Sequence, residues 1–263
     1  MLKEKLALDE HSLIKLRQQA ALAILANEGF SPISTYDLWA SFDNKYFLHE
    51  SPDIIARHTK AILTCKQFPL VLIMPHHTQG GTEVFIYMPH RDERFTITTT
   101  VLSNQRVTIQ EATILTTVNG FDLDTYIILD ENDHAFFDEM RTRSILDALT
   151  YHLTDNKNPP CTTQHRRSRT QAHFNLSPQI TFTDDSKDKH SCLFLVTSDR
   201  SGLLASVSQI FLKESVHLHN AKIVTAGERV EDVFYISNQM GEKLTLQEQM
   251  TLREKLIQGI SSN

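Results

Sequence analysis

The sequence predicts an α+β protein in which an N-terminal helical segment precedes two copies of one small domain. An internal repeat is the main observation. Val71–Arg91 and Ile180–Arg200 each contain an apolar run, a polar turn, a second apolar run and an arginine, and they lie 109 positions apart without a gap. A repeat of this length indicates two copies of one folding unit. Its register extends to Val107, Ile109, Ala112 and Ile114, which match Val216, Leu218, Ala221 and Ile223, and to Asp124–Ile128, which matches Asp232–Ile236 after a one-residue slip.

The second observation is helical patterning in residues 1–66. Apolar residues from Leu13 onward recur at helical spacing until Gly29, and glycine commonly ends helices. Ser51 and Pro52 supply an N-cap hydroxyl and a first-turn proline, which favour a helix start. The predicted helices therefore run from about Leu13 to Gly29, over Thr35–Phe42, and from Ser51 to about Cys65.

Residues 67–153 form the first predicted copy. One of its helices, Arg94–Ser103, has a weak local signal, because Thr96–Thr100 is rich in β-branched residues that favour strands. We predict a helix there because its counterpart, Gly202–Glu214, has a strong helical pattern. Strands are predicted at Leu70–Met74, Thr82–Met88, Val107–Thr116 and Asp124–Leu129, and a second helix over Phe137–His152.

Residues 154–170 are predicted to be a linker, because Pro159-Pro160 resists both helix and sheet. Its arginines (Arg166, Arg167 and Arg169) favour a solvated linker face, with a phosphate contact as the alternative. Residues 171–263 form the second copy. Its strands are predicted at Gln179–Thr183, Ser191–Thr197, Val216–Thr225 and Val233–Ser237, and its helices over Gly202–Glu214 and Thr245–Ile260.

Each copy thus has the order ββαββα. This order is typical of a ferredoxin-like βαββαβ domain with an extra strand at the front. The predicted architecture is a helical segment at 1–66, a first domain at 67–153, a linker at 154–170 and a second domain at 171–263.

Composition excludes several classes of function. The formal charge of −6 argues against a general binder of nucleic acid or of anionic membranes, which usually presents a positive face. No apolar run approaches the length of a membrane span, and the acidic N-terminus does not resemble a signal peptide. The three cysteines lack metal-site spacing, so we expect reduced thiols in a cytoplasmic protein.

The segment Ser198–Leu204 lies between a predicted strand and a predicted helix, where small and polar residues expose the first free amides of the helix. Such a helix end attracts anions, including the carboxylate of an amino acid. Asp199 could hold an ammonium group, and Gly202 would allow close approach of a ligand. An ordinary helix cap is the alternative. We predict an amino-acid site formed by Asp199, Arg200, Gly202 and Leu203, with Asn220 on the facing strand reading a side-chain amide.

Two stretches here, DRSGLL (residues 199–204) and LHNAKIVTAGERVEDVFYIS (residues 218–237), resemble an ACT domain, a small ligand-binding regulatory module. More specifically, they resemble the last ACT domain of the bifunctional PII uridylyltransferase/uridylyl-removing enzyme family. TQGGTEVFIY (Thr78–Tyr87) is similar to the start of that family's first ACT domain. KYFLHESPDIIARHTKAIL (Lys45–Leu63) resembles the segment that joins its hydrolase domain to the ACT pair, so the resemblance covers nearly the whole chain in order.

The resemblance implies a role in nitrogen sensing. The family attaches uridylyl groups from UTP to the PII signalling protein when glutamine is low and removes them when glutamine is high. Its ACT domains are taken to sense glutamine, and its catalysis lies in upstream domains that use divalent metal ions such as Mg²⁺. Met1 falls inside what the family uses as an interdomain helical region, so we expect this chain to be a truncated or expressed fragment.

The catalytic motifs that this family would need are not found in the sequence. A nucleotidyltransferase requires a Gly-Ser turn followed within about a dozen residues by paired carboxylates for metal ions. Asp122 and Asp124 form an Asp-x-Asp pair, but no Gly-Ser precedes them at that distance. No His-Asp pair is present for the hydrolase, and His217 and His219 more simply act as surface or interface imidazoles than as metal ligands. We therefore expect no catalytic residue, metal site or cofactor in this chain, and no activity by it alone.

The two copies differ where a ligand would bind. In the first copy, His90 replaces the aspartate and Glu93 replaces the glycine of DRSGLL, while Arg91 is kept. Glu93 would repel a ligand carboxylate, so we place amino-acid binding in the second copy. The first copy is then either structural or completes the site across a shared interface. We expect the ACT copies to pair, by default within the chain.

Two functions remain open at this point. The first is a glutamine-sensing regulatory part of the PII-modifying enzyme, with PII as its partner through the rest of that enzyme. The second is a stand-alone ACT-repeat protein that senses an amino acid or mediates interactions without enzymatic activity.

Overall fold

The computed structural model describes residues 9–76, 80–155, 160, 176–183, 190–200, 202–226 and 229–261. The chain begins with four helices, which are α1 (Glu10–Asn27), α2 (Pro32–Trp39), α3 (Asn44–His49) and α4 (Pro52–Thr64). The Asp9 carboxylate accepts the Ser12 amide at 2.7 Å and begins α1, and Gly29 follows the helix with a φ of 84°. The predicted helices are therefore present, although α2 begins three residues earlier than expected.

Helix α3 was not predicted. It has six residues, which is too short for a helical period to be recognised in the sequence. Its start is fixed by Asp43, whose carboxylate accepts the amide of Lys45 at 2.7 Å. Buried Tyr46 and Phe47 then hold it against its neighbours.

The first repeat contains β1 (Leu70–His76), β2 (Gly81–Pro89), α5 (Arg94–Asn104), β3 (Thr108–Thr116), β4 (Phe121–Leu129) and α6 (Glu139–Thr154). The second contains β5 (Gln179–Thr183), β6 (Ser191–Ser198), α7 (Leu203–Lys213), β7 (His217–Ala226), β8 (Arg229–Ser237) and α8 (Leu246–Ser261). The predicted fold class is confirmed, since helices precede two units of ββαββα order. The predicted linker, including its arginines, lies mostly outside the described residues.

Helix α5 forms despite its threonine-rich sequence. Thr98, Thr99 and Thr100 are all buried, and the Thr99 hydroxyl donates to the carbonyl of Phe95 at 2.8 Å. The helix packs against α6 and α7, so tertiary burial outweighs the local preference for strand.

All eight strands form one antiparallel sheet in the order β1-β2-β4-β3-β7-β8-β6-β5. The two repeats meet edge to edge through β3 and β7, where Ile114 lies opposite Ala221. The front strands β1 and β5 take the outer edges. Helices α5 and α7 pack together on one face of this sheet, so the repeats share a sheet and a helical layer.

The two faces of the first repeat's sheet are both covered. Val84 and Ile86 of β2 lie in the core beneath the helices α5–α8. Phe85 and Tyr87, which alternate with them, lie in a second core with the N-terminal helices. The Arg17 guanidinium also donates to the carbonyls of Phe47, Leu48 and Glu50 at 2.8–3.0 Å, which ties α1 to the end of α3.

Candidate functional site

The loop between β6 and α7 positions the predicted site. Gly202 is the N-cap residue of α7, and its φ of 76° lies in the left-handed region that favours glycine. The cap has no side-chain hydrogen bond, so no side chain of the cap residue competes for the first amides of the helix. The helix then continues through a bond from the Ser206 amide to the Gly202 carbonyl at 2.9 Å.

A cleft opens at this helix start, and both repeats form its walls. Asp199, Arg200, Gly202 and Leu203 come from the second repeat, while the first contributes hydroxyl groups at Thr99, Ser103 and Thr108. Its free volume is about 40 Å³, which is enough for only a few water molecules. A Cβ atom added at Gly202 would lie 3.3 Å from the Ser103 hydroxyl oxygen, so even a small side chain there would press on the opposite wall.

A buried acid lies near this cleft. Neither carboxylate oxygen of Asp232, on β8, has a hydrogen-bond partner, and the residue is 1 % exposed. Burial raises the pKa of Asp232 well above its usual value. The Val224 amide lowers this pKa slightly, although it does not reach hydrogen-bond geometry, and the charge of Asp199 raises it further. Burial also raises the pKa of Asp199. The start of α7, where the Leu203 amide already donates to the Arg200 carbonyl at 3.2 Å, therefore lies near two carboxyl groups that form no ion pair with any described residue.

The structure brings together four of the five predicted residues, Asp199, Arg200, Gly202 and Leu203. Arg200 also reaches across to the Gly259 carbonyl on α8 at 3.5 Å, so it holds the loop against that helix. Asn220 is not brought to the cleft. It precedes Ala221, whose side chain lies in the helical-face core, so strand alternation directs Asn220 to the opposite face of the sheet. We therefore remove Asn220 from the site.

Comparison with known proteins identifies relatives along almost the whole chain. The family described as "Uridylyltransferase GlnD fifth domain" matches residues 9–61. The bifunctional uridylyltransferase/uridylyl-removing enzyme of Legionella pneumophila (strain Lens) is 59% identical over 261 residues, which is 99% of this chain and 30% of that protein. The enzyme of the same description from Pseudomonas putida (strain W619) is 38% identical over 244 residues, which is 90% of this chain and 27% of that protein.

This chain is therefore a relative of the C-terminal part of the bifunctional uridylyltransferase/uridylyl-removing enzymes. The resemblance expected from the sequence is confirmed, and the chain spans less than a third of the length of these relatives. A solved structure of aspartate kinase from Synechocystis also matches 68% of the chain and 26% of that protein, with a TM-score of 0.38 and 12% identity. In the part of the chain that the structure describes, no helix is long and apolar enough to cross a membrane.

In this relative of the uridylyltransferase/uridylyl-removing enzymes, the equivalent loop of the first repeat is filled by its own side chains. Arg94 stands where Leu203 stands in the second repeat, and it is 1 % exposed. Its Nε atom lies 3.0 Å from Asp122 and 3.2 Å from Asp124, the counterpart of Asp232. Burial raises the pKa of Asp124 to about 7, although the charge of Arg94 opposes this rise. The first repeat thus supplies its own cation, whereas no described residue of the second repeat pairs with Asp232.

The entrance to the first repeat's loop is also closed. The Asp92 carboxylate lies 2.9 Å from His217 and 3.3 Å from His90, and His90 lies 2.8 Å from Asp122. The hydrogen bond to Asp122 raises the pKa of His90 despite its partial burial. Burial raises the pKa of Asp92, but the contacts with His217 and His90 lower it overall. An ionic network therefore occupies the position that is open in the second repeat.

The two histidines of β7, His217 and His219, contact different residues and do not form a shared metal site. His217 contacts Asp92, whereas His219 lies 2.7 Å from the Ser237 hydroxyl and stacks on His190 with ring centroids 3.8 Å apart. Within the described ranges, the one group of three potential metal ligands consists of Glu50, His76 and Glu83 instead. That group lies on the face of the sheet covered by the N-terminal helices, and its three residues do not have the spacing of a known metal-binding motif.

Sequence patterns missed the cleft residues Thr99, Ser103 and Thr108, and also Asp232 near the cleft. Thr99 and Ser208 occupy equivalent positions in the two repeats and contact each other at 3.0 Å, so they lie where the repeats meet. The 109-residue offset matches Arg94 to Leu203, and the one-residue slip after it matches Asp124 to Asp232, so the repeat could have identified Leu203 as the changed and Asp232 as the unchanged member of the Arg94–Asp124 pair. The repeat could not have shown that α5 of the first repeat faces the β6–α7 loop.

Proposed function

We propose that this chain is the regulatory, glutamine-sensing C-terminal part of an enzyme that uridylylates and deuridylylates the PII signalling protein in the cytoplasm. Catalysis of transfer and removal would belong to other domains of that enzyme, and this chain alone would carry out neither. PII would be a partner through the whole enzyme. The observation that carries the proposal is the asymmetric pair of loops, one filled by Arg94 and one open at Gly202.

The chemistry of the open cleft suits a free amino acid. Amides at the start of α7 would donate to the ligand carboxylate, since a helix N-terminus favours negative charge. The carboxyl groups of Asp199 and Asp232 would offset the charge of the ammonium group. The hydroxyl groups of Thr99 and Ser103 would offer hydrogen bonds to a side-chain amide.

The size of the cleft connects binding to regulation. An amino acid needs more room than the roughly 40 Å³ available, so binding would require α5 and α7 to move apart. Such a movement changes how the repeats pack, because the cleft walls belong to both. A ligand shifts a conformational equilibrium only by its differential affinity for the two states, which is typically ~1–3 kcal/mol in allosteric proteins. Glutamine would favour the opened arrangement and so bias distant active sites.

Calorimetric titration with glutamine tests this proposal, with glutamate and leucine as comparison ligands. We expect glutamine to bind in the micromolar to millimolar range and Gly202→Ala to weaken it at least tenfold. Gly241→Ala is a matched control, because Gly241 has a φ of 77° and no atom within 4 Å of an added Cβ. Both variants carry the same backbone strain, but only Gly202 lies in the cleft. No heat at millimolar glutamine, or equal loss in both variants, would contradict the proposal.

A stand-alone ACT-repeat sensor without enzymatic activity is the second candidate, because the cleft walls come from the two repeats of this chain. The DNA upstream of the codon for Met1 distinguishes the two. A reading frame that encodes a Gly-Ser/Asp-x-Asp motif and a His-Asp motif supports the regulatory part of an enzyme. A frame that lacks both supports the stand-alone sensor. Uridylyl transfer to PII by this chain alone would contradict both.

A further inference from the structure

A second buried polar cluster lies between the N-terminal helices and the sheet of the first repeat. Its members are Glu50 at the end of α3, His76 at the end of β1 and Glu83 on β2. All three are buried, and one ligand atom from each lies within 4.8 Å of the others. The cleft at α7 does not use any of them.

The cluster contains an acid that the surrounding contacts do not satisfy. The Oε1 atom of Glu83 lies 2.8 Å from Nε2 of His58, but its Oε2 atom has no hydrogen-bond partner. Nε2 of His76 lies 3.7 Å from Oε2, which is longer than a hydrogen bond. Burial of a carboxylate oxygen without a partner reduces the stability of the folded protein. A ligand bound beside Oε2 of Glu83 would remove this penalty.

Surrounding residues hold the carboxylates in place. The Tyr46 hydroxyl lies 3.0 Å from Nδ1 of His58, on the far side of the ring from Glu83. Burial raises the pKa of Tyr46 well above its usual value, so its hydroxyl stays protonated and able to donate. His58 also stacks on Phe85 with ring centroids 3.7 Å apart, which fixes the plane of the imidazole. Hydrogen bonds to outer residues also orient the carboxylates that bind metal ions in proteins.

Glu50 is held in the same way. The Thr125 hydroxyl donates to its Oε1 atom at 3.4 Å, and Nδ1 of His49 lies 3.4 Å from the same atom. These two contacts fix the position of the Glu50 carboxylate.

We propose that Glu50, His76 and Glu83 form a binding site for a divalent first-row transition-metal ion of the Zn²⁺ class. Two carboxylates and one neutral imidazole would balance the charge of the ion. Zn²⁺ binds nitrogen and oxygen at about 2.0–2.2 Å, so tetrahedral ligands lie roughly 3.4 Å apart and these side chains would close by about 1.4 Å at most. The imidazole disfavours Mg²⁺ and Ca²⁺, which prefer oxygen ligands.

A bound ion would join the helical segment to the first repeat. Glu50 belongs to the N-terminal helices, whereas His76 and Glu83 belong to the sheet. The ion would therefore act as a structural clamp between the two, because it binds the folded arrangement and not the separated parts. An internal network in which a protonated histidine replaces the ion is the competing arrangement.

Metal titration of chelator-treated protein tests the site, with Zn²⁺ measured by competition with a chromophoric chelator and Co²⁺ by its visible absorption. We expect one ion per chain and an increased unfolding temperature on addition of Zn²⁺. Glu83→Gln and His76→Asn should each raise the Zn²⁺ Kd at least ~100-fold. Tyr46→Phe, which removes only the outer hydroxyl, should raise it about 10–100-fold. His11→Gln, at an exposed position on α1, is the control and should leave Kd unchanged.

The result that overturns the proposal is equally direct. Wild-type protein that binds neither Zn²⁺ nor Co²⁺ at 1:1 up to about 100 μM has an internal ion-pair network and not a metal site. Binding that His76→Asn and Glu83→Gln leave unchanged places the metal elsewhere. Should both of these variants fail to fold, Tyr46→Phe decides, because Zn²⁺ binding that this variant leaves unaltered is not at Glu83, whose carboxylate Tyr46 positions through His58.

Discussion

The buried ion pair of Arg94 provides the sharpest test of how the first repeat differs from the second. Replacing Arg94 by methionine keeps an unbranched side chain of similar length but removes the guanidinium between Asp122 and Asp124. All three residues are at most 1 % exposed, so water cannot replace the lost partner. The Arg94→Met variant should therefore be strongly destabilised.

The size of the effect follows from the burial. Removing one partner of a buried pair typically costs about 3–5 kcal/mol, because the remaining charge is uncompensated. For a chain of this length that folds as one cooperative unit, the same loss corresponds to roughly 5–9 °C in unfolding temperature. Because burial already raises the pKa of Asp124 to about 7, its protonation at pH 5 should relieve part of the cost. The destabilisation should thus be larger at pH 8 than at pH 5.

Urea unfolding followed by circular dichroism measures these differences. The matched variant combines Arg94→Met with Asp122→Asn and Asp124→Asn, which removes the charges together with their cation. It should recover most of the lost stability, because replacing a whole buried ion pair by neutral groups is often close to neutral. A loss below about 1 kcal/mol in the single variant, or a triple variant that is no more stable than the single one, would refute this reasoning.

Three further predictions concern the second repeat. Asp232 has a folded-state pKa raised above its unfolded value, so its contribution to stability is present below about pH 4 and is lost as pH rises. Asp232→Asn should therefore be more stable than wild type in urea unfolding at pH 8, and parallel pH curves would contradict this. Leu203→Arg should supply Asp232 with the cation that Arg94 provides in the first repeat, and abolish the calorimetric glutamine signal; retained binding would exclude Leu203 from the site. Burial lowers the pKa of His219 to about 4, with the charges of neighbouring histidines adding to the effect. An NMR titration should find its imidazole neutral down to about pH 5, and a midpoint above pH 6 would show that the ring is exposed.

Much of the fold could be predicted because its signals are local or repeated. Helix starts such as Ser51-Pro52 and strand runs such as Thr82–Met88 depend on a few neighbouring residues. Helix α5 was predicted only through its counterpart α7, since its threonines favour strand. The short helix α3 was missed because six residues hold less than two helical turns.

The candidate site was predictable only in part. The loop that begins α7 was recognised from its residue types, and Asp199 and Gly202 do line the cleft. Asn220 was chosen for its place on a facing strand, but the pleat directs it to the other face. Asp232 was not predicted, because an aspartate in a strand has no local feature that marks it as unpaired. Its missing partner corresponds to Leu203, which lies 29 positions earlier in the sequence.

Residue order alone established the duplication, the order of helices and strands in each repeat, and the loss of the open loop from the first copy. These depend on short-range periodicity and on comparing one half of the chain with the other. Tertiary structure decided that β3 and β7 join the repeats into one sheet, and that Thr99 and Ser103 complete the cleft. It also decided that Glu50, His76 and Glu83 meet beneath the N-terminal helices. Such contacts join residues tens to more than a hundred positions apart, and only the burial of both sheet faces brings them together.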